Sequence, residues 1–176
     1  MNNTIDSENL TLICGTREIL GEALKGDDYL AAILQAKVPK KWTEFGMVVI
    51  GYALDIISEN PLEDKWWTWL PIHKKDKILI GSCGYKGSPE DGMVEIGYEI
   101  IESYRENGYG TEIAQVLIKN AFDYPEVSMV QAHTLAEENA STRILTKCGL
   151  KWVEEIEDEE DGWIWRWIIE RSDFKG

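Results

Sequence analysis

The chain has 176 residues, 44% of them hydrophobic, which is the size of about one domain with a real core. It carries 18 basic against 32 acidic residues, a formal charge of −14. This argues against general nucleic-acid binding, which needs a basic face for phosphates. It suits a cationic substrate, because a negative field concentrates amines, although solubility alone also accounts for it. The longest apolar run, 47–57, is broken by Gly51 and Asp55, so no membrane span is expected. The opening MNNTIDSENL lacks the basic-then-apolar pattern of a secretory signal. Cys14, Cys83 and Cys148 are far apart, with neither metal spacing nor a disulfide framework, and fit reduced thiols in a cytoplasm.

Leu10–Cys14 reads as a first strand. Thr16 then caps a helix to Lys25, and Asp27 or Asp28 caps a second over 29–36, closed by Pro39. From 43 to 59, Phe45, Val48, Val49, Tyr52, Ala53, Ile56 and Ile57 recur at helical spacing, which predicts an amphipathic helix with these residues as its apolar face. Residues 66–73, 77–85 and 93–101 read as three strands with short connections, an antiparallel meander. Ile113, Val116, Leu117 and Ala121 mark a helix ending at Tyr124-Pro125, and 127–135 a strand. Strand, helix, strand is a crossover unit, which favours a parallel pair. Asn139 or Ser141 starts another helix, stopped by Gly149, and 151–156 with 163–169 form a terminal hairpin. The fold class is α/β, a mixed sheet with one parallel crossover near its middle, in a single domain over 1–176.

The stretch YRENGYGTE, residues 104–112, lies between a strand and a helix. Gly108 and Gly110 permit a tight path, and the next helix leaves its first amides without partners, a ready site for an anion. Arg105 adds a cation and Thr111 a hydroxyl. Neither a P-loop nor a dinucleotide fingerprint is present. By itself the stretch reads equally as a structural turn.

Arg105-Glu106-Asn107-Gly108-Tyr109-Gly110-Thr111-Glu112 resembles the R/Q-x-x-G-x-G/A motif of the GCN5-related N-acetyltransferases (GNAT). VEIGYEI at 94–100 resembles the strand before that motif. AHTLAEENASTRILTKCGL at 132–150 resembles the later strand and helix of the RimJ/RimL-like branch. The likeness covers 77–150; before that, only the order of elements supports it.

The resemblance implies the GNAT-like acyl-CoA N-acyltransferase fold, a mostly antiparallel sheet splayed at a central parallel pair and flanked by helices. It implies acetyl-CoA as donor and a primary amine, on a small molecule or a protein N-terminus, as acceptor. The amides from Glu106 through Asn107, Gly108, Tyr109 and Gly110 to Thr111, with Arg105, are then expected to hold the pyrophosphate. The backbone of Tyr98, Glu99 and Ile100 is expected to pair with the pantetheine arm. Asn139 is expected either to touch that arm or to be a plain helix cap.

Glu95 is the leading general base: alternation places it with Gly97 and Glu99 on one strand face, and the family uses a glutamate near this position. The competing reading of Glu95 is a carboxylate paired with a Lys or Arg. Glu99, or a water relay, stands behind it. Leu145 occupies the position where many relatives carry a thiolate-protonating tyrosine, so no general acid is named. His133 reads as a structural histidine, His73 as exposed, Cys148 as core, and Ser141 as a cap or packing residue. Trp66, Trp67 and Trp69 read mainly as packing, and the acidic run 154–161 as a solvated hairpin without calcium-loop spacing. No metal is expected, and the chain is read as monomer or homodimer. The second function class is a catalytically degenerate relative that binds a CoA compound or a protein partner without turnover.

Overall fold

The computed structural model describes residues 3–175. In chain order the elements are β1 (Thr4–Asp6), β2 (Leu10–Cys14), α1 (Arg17–Lys25), α2 (Asp27–Leu34), α3 (Gly46–Glu59), β3 (Thr68–His73), β4 (Ile78–Leu79), β5 (Gly81–Tyr85), β6 (Met93–Ile100), α4 (Tyr109–Phe122), β7 (Met129–Leu135), α5 (Ala140–Lys147), β8 (Lys151–Asp158) and β9 (Gly162–Glu170). The strands form one sheet in the order β1-β2-β3-β5-β6-β7-β9-β8, with β4 beside β3. All pairs are antiparallel except β6 with β7, which α4 connects. The mixed sheet with one central parallel pair is the architecture the sequence predicts.

That parallel pair is short. Only Met93, Val94 and Glu95 find partners, opposite Met129, Val130 and Gln131. Beyond Glu95, β6 keeps its pairing with β5 as far as Ile100 opposite Gly81, while β7 runs on with β9. The sheet therefore splays open between the second halves of β6 and β7. One side of the Tyr98–Ile100 backbone faces this gap without a strand partner.

Two cores cover the sheet's two faces. Leu20, Leu30, Ile50, Ile57, Leu70 and Leu79 join α1–α3 to one face. Ile113, Leu117, Val94, Ile96, Val130 and Trp167 join α4 and α5 to the other. Alternation follows from this. Val94, Ile96 and Tyr98 turn toward α4 and α5, whereas Glu95, Gly97 and Glu99 turn away from them.

Several boundaries differ from expectation. Lys77 ends a turn, and residues 78–85 are two strands with a break at Ile80, whose amide donates to Pro71 O. Trp66 closes a 3-10 turn, Pro61–Trp66, rather than opening a strand. In α3 the buried side is Ile50, Ala53 and Ile57, while Phe45, Val48, Val49 and Tyr52 are exposed. The helix is apolar nearly all round, so periodicity alone does not choose between overlapping stripes. The stripe that meets the sheet runs i, i+3, i+7 from Ile50. Segment 163–169 lies inside the sheet, in β9, and β8 takes the edge. Trp66 and Trp69 are core residues. His73 is buried, not exposed, and stacks between Tyr104 and Tyr109.

Candidate active site

The gap ends at the start of α4. Gly108 takes the left-handed conformation there, φ +84°, and nothing approaches the position a Cβ would fill. The first bond of α4 runs from Glu112 N to Gly108 O at 3.1 Å, so the amides of Tyr109, Gly110 and Thr111 precede the ladder. No side chain among the described residues caps them. The starts of α1, α3 and α5 are covered, whereas α2 follows Gly26 and, like α4, has no side-chain cap. Thr16 caps α1, Asn139 caps α5, and the Glu99 carboxylate accepts from Glu44 N at 2.7 Å and Phe45 N at 3.2 Å just before α3. The bare start of α4, with its dipole pointing at the gap, fits an anion.

The remaining motif residues shape this cradle. Asn107 Nδ2 donates to Arg105 O at 2.8 Å, and Glu106 sits at φ +61°. Arg105 itself is engaged: Nε donates to Ile100 O and a terminal nitrogen to Glu44 Oε1, both at 2.8 Å. Its guanidinium braces the end of β6 instead of lying free over the loop. The Tyr109 hydroxyl turns inward, 2.9 Å from His73 Nε2. Glu112 is tied to the β1–β2 turn by Ser7 Oγ at 2.6 Å and Asn9 N at 2.7 Å. Partial burial pushes its carboxyl up, but those bonds outweigh it and hold it below the usual range.

Inside the gap, Tyr98 reaches toward α5. Its hydroxyl is buried and lacks a hydrogen bond of good geometry, although Ser141 faces it. Burial pushes this phenol well above its ordinary range, so it remains a donor. Asn139 Oδ1 accepts from Thr142 N at 3.1 Å in a full capping box, which leaves only its Nδ2 without a partner among the described residues. Leu145 is core. Partial burial lifts the Cys148 thiol to about 11, which favours the neutral form near pH 7.

On the opposite face lies Glu95. Its Oε1 is 2.5 Å from Lys86 Nζ and 3.0 Å from His133 Nδ1, ion-pair distances without well-aligned hydrogen bonds. Oε2 accepts from Gln131 Nε2 at 3.0 Å. Gln131 Oε1 accepts in turn from Arg166 Nε at 2.8 Å, and Arg166 pairs with Glu154 at 2.7 Å. Burial pushes the Glu95 carboxyl up, yet His133 and Lys86 together pull it down to about 2. A carboxylate so placed is a weak proton acceptor. Glu99 is likewise committed, to the start of α3 and to Ser82 Oγ at 2.6 Å. Sequence reasoning ranked His133 as structural. Only the strand register reveals that it meets Glu95 at the mouth of the gap.

The profile of the acetyltransferase (GNAT) domain matches residues 28–151. The chain belongs to the GNAT family. This acetyltransferase-family chain is 33% identical over 101 residues to the uncharacterized N-acetyltransferase YjdG of Bacillus subtilis. That match covers 57% of the chain and 60% of YjdG, so it spans less than two thirds of that relative. Among solved structures, its fold is similar to the microcin C7 self-immunity acetyltransferase MccE in complex with acetyl-CoA and AMP. The TM-score is 0.68 at 12% identity, over 97% of each chain. It is also similar to an acetyltransferase from Salmonella typhimurium that modifies the N-terminal serine of the ribosomal protein L7/L12. There the TM-score is 0.66 at 12% identity, over 93% of this chain and 96% of that one. At such identities the likeness concerns the fold of this GNAT member alone.

Proposed function

We propose that the chain is an acetyl-CoA-dependent N-acetyltransferase that acetylates a primary amine by direct attack, with residues 1–176 as its catalytic domain. The observation that carries this reading is the uncapped start of α4 opening onto the unpaired half of β6. An anion seat and a free strand edge meet in one gap, which is what a pyrophosphate followed by a pantetheine arm requires. The buried hydroxyl of Tyr98 in the same gap, with only Ser141 facing it and no well-aligned hydrogen bond, fits a ligand with polar groups at that depth, because such a group is costly to leave unsatisfied.

When bound, acetyl-CoA supplies an acetyl group activated as a thioester. The chain's residues do the rest. The amides between Glu106 and Thr111 hold the pyrophosphate, with the Thr111 hydroxyl beside them. Arg105 fixes the end of β6 against Glu44 and so sets the cradle's distance from the Tyr98–Ile100 edge. Asn139 Nδ2 and Tyr98 Oη offer donors along the gap. Positioning of this kind lowers the barrier chiefly by removing translational freedom. The acceptor enters from the face that carries Glu95, Glu99 and Glu154, where negative charge attracts an ammonium. MccE and the L7/L12 enzyme differ in what their names say they act on, and either a small amine or a protein N-terminus suits this face.

Free-thiol release from acetyl-CoA tests the proposal, using amino acids, polyamines, aminoglycosides and peptides with free N-termini as acceptors. At least one class is expected to raise release well above the amine-free rate. Binding of acetyl-CoA with no stimulation by any class is the result of a module without turnover.

A further inference from the structure

Glu95 and His133 stand on the two strands that part company. The last paired residues are Glu95 and Gln131, and His133 is the next residue of β7 on the same face. Its side chain is 19% exposed, against 15% for Glu95, so both line the floor of the open face at the lip of the gap. Nδ1 lies 3.0 Å from Glu95 Oε1, within ion-pair distance, and Nε2 has no hydrogen-bond partner among the described residues. This is a carboxylate–imidazole pair: the carboxylate holds one ring nitrogen and thereby leaves the lone pair of the other facing solvent and substrate. The pinning of Glu95 by Lys86 and Gln131 makes it unsuited to accept a proton but well suited to orient a ring. An imidazole is the side chain that exchanges protons near neutral pH.

We propose that His133 Nε2 is the proton acceptor for the attacking amine, and that Glu95 is its positioning residue. The assignment rests on the acetyl-transfer reading above. The acceptor arrives as an ammonium and gives one proton to Nε2. The freed nitrogen pair forms the C–N bond to the acetyl carbon as the C–S bond breaks, leaving its electron pair on sulfur. The second nitrogen proton neutralises that thiolate, and the imidazolium passes its own proton to water. The charged groups around His133 are Glu95 from β6, Lys86 beyond β5, Arg166 directly opposite on β9, and Glu154 and Asp158 from β8.

The test uses His133→Asn, which keeps an amide N–H toward Glu95 and removes the basic nitrogen. The expected result is a fall in kcat of about a hundredfold or more. The acidic limb of the pH–rate profile should disappear, while acetyl-CoA affinity and melting temperature stay at the wild-type values. Glu95→Gln is expected to lower kcat less and to keep the limb. A second readout needs no turnover. The chain has only two histidines, so the ring-nitrogen NMR shifts are readily assigned. His133 is expected to carry its proton on Nδ1 at neutral pH.

Three results overturn the assignment: His133→Asn retaining its rate within about threefold, the limb vanishing in Glu95→Gln instead, or the proton residing on Nε2. Parallel loss of acetyl-CoA affinity in His133→Asn also overturns it, by making the residue structural. Failure of the wild type to release thiol with any amine is a separate outcome. It removes the transfer reading itself and the assignment with it.

Discussion

Gly108→Asp is expected to weaken CoA binding about a hundredfold while the protein stays folded. Gly108 has the left-handed conformation, which Asp tolerates better than most residues, and there is open space where its Cβ would go. A carboxylate at this point favours the start of α4 by ~0.3–1 kcal/mol through the helix dipole. That gain offsets part of the ~1–2 kcal/mol cost of a side chain in a left-handed turn, leaving a net cost of about 1 kcal/mol. A melting temperature within about 4 °C of wild type follows. The same carboxylate faces the seat of the pyrophosphate. Two unit charges about 6 Å apart at an effective dielectric of ~20 repel by about 3 kcal/mol, which is two orders of magnitude in affinity. Calorimetric titration of the variant with CoA reads this directly. Unchanged affinity would mean the anion lies elsewhere.

The second large effect is on stability. Gly84 pairs with Thr68 on β3 and with Gly97 on β6, at φ +142°. A Cβ there would sit 1.9 Å from Trp67 O and 3.0 Å from its carbonyl carbon. Both are backbone atoms, so no rotamer change relieves the clash and β3 itself must shift. Gly84→Ala is expected to cost about 3–5 kcal/mol, the sum of backbone strain and overpacking. At ~2–4 °C per kcal/mol for a chain of this size, the melting temperature falls by about 10 °C. Gly97→Ala is the control. Nothing lies within 4 Å of its added Cβ, and its effect should stay within about 1 kcal/mol. A thermal melt of Gly84→Ala that overlays the wild type would refute the close approach of β3 and β5.

These two glycines show what a sequence makes legible. Gly108 and the apolar period of α4 announce a strand–turn–helix locally, and Thr16 and Asn139 announce their caps, because each signal lies within four residues of its effect. The alternation that sets Glu95, Gly97 and Glu99 on one face was equally local. The significance of Gly84 was not legible, since its neighbour in space is Trp67, just before β3 and 17 residues away in the chain. The face of α3 was misread because apolar residues surround the helix, and only α1 and the sheet choose the side of Ile50. The site divides the same way. The cradle could be read from residues 105–111, one contiguous stretch. The surroundings of Glu95 could not. Lys86, Gln131, His133 and Arg166 come from a loop and two further strands, and strand register alone brings them together. The sequence suggests that Arg105 helps hold the pyrophosphate, and it does not show the partners the side chain has at the end of β6, Ile100 O and Glu44.

The central claim is that the bare start of α4 and the open edge of β6 form one seat for acetyl-CoA. Its most direct test is backbone amide NMR of the wild-type protein titrated with acetyl-CoA. The account predicts saturable binding of one ligand per chain, with the largest shifts at the amides of residues 106–111 and 98–100 and small ones in β8. Saturable binding that leaves those amides unmoved, or no binding at millimolar acetyl-CoA, would contradict it.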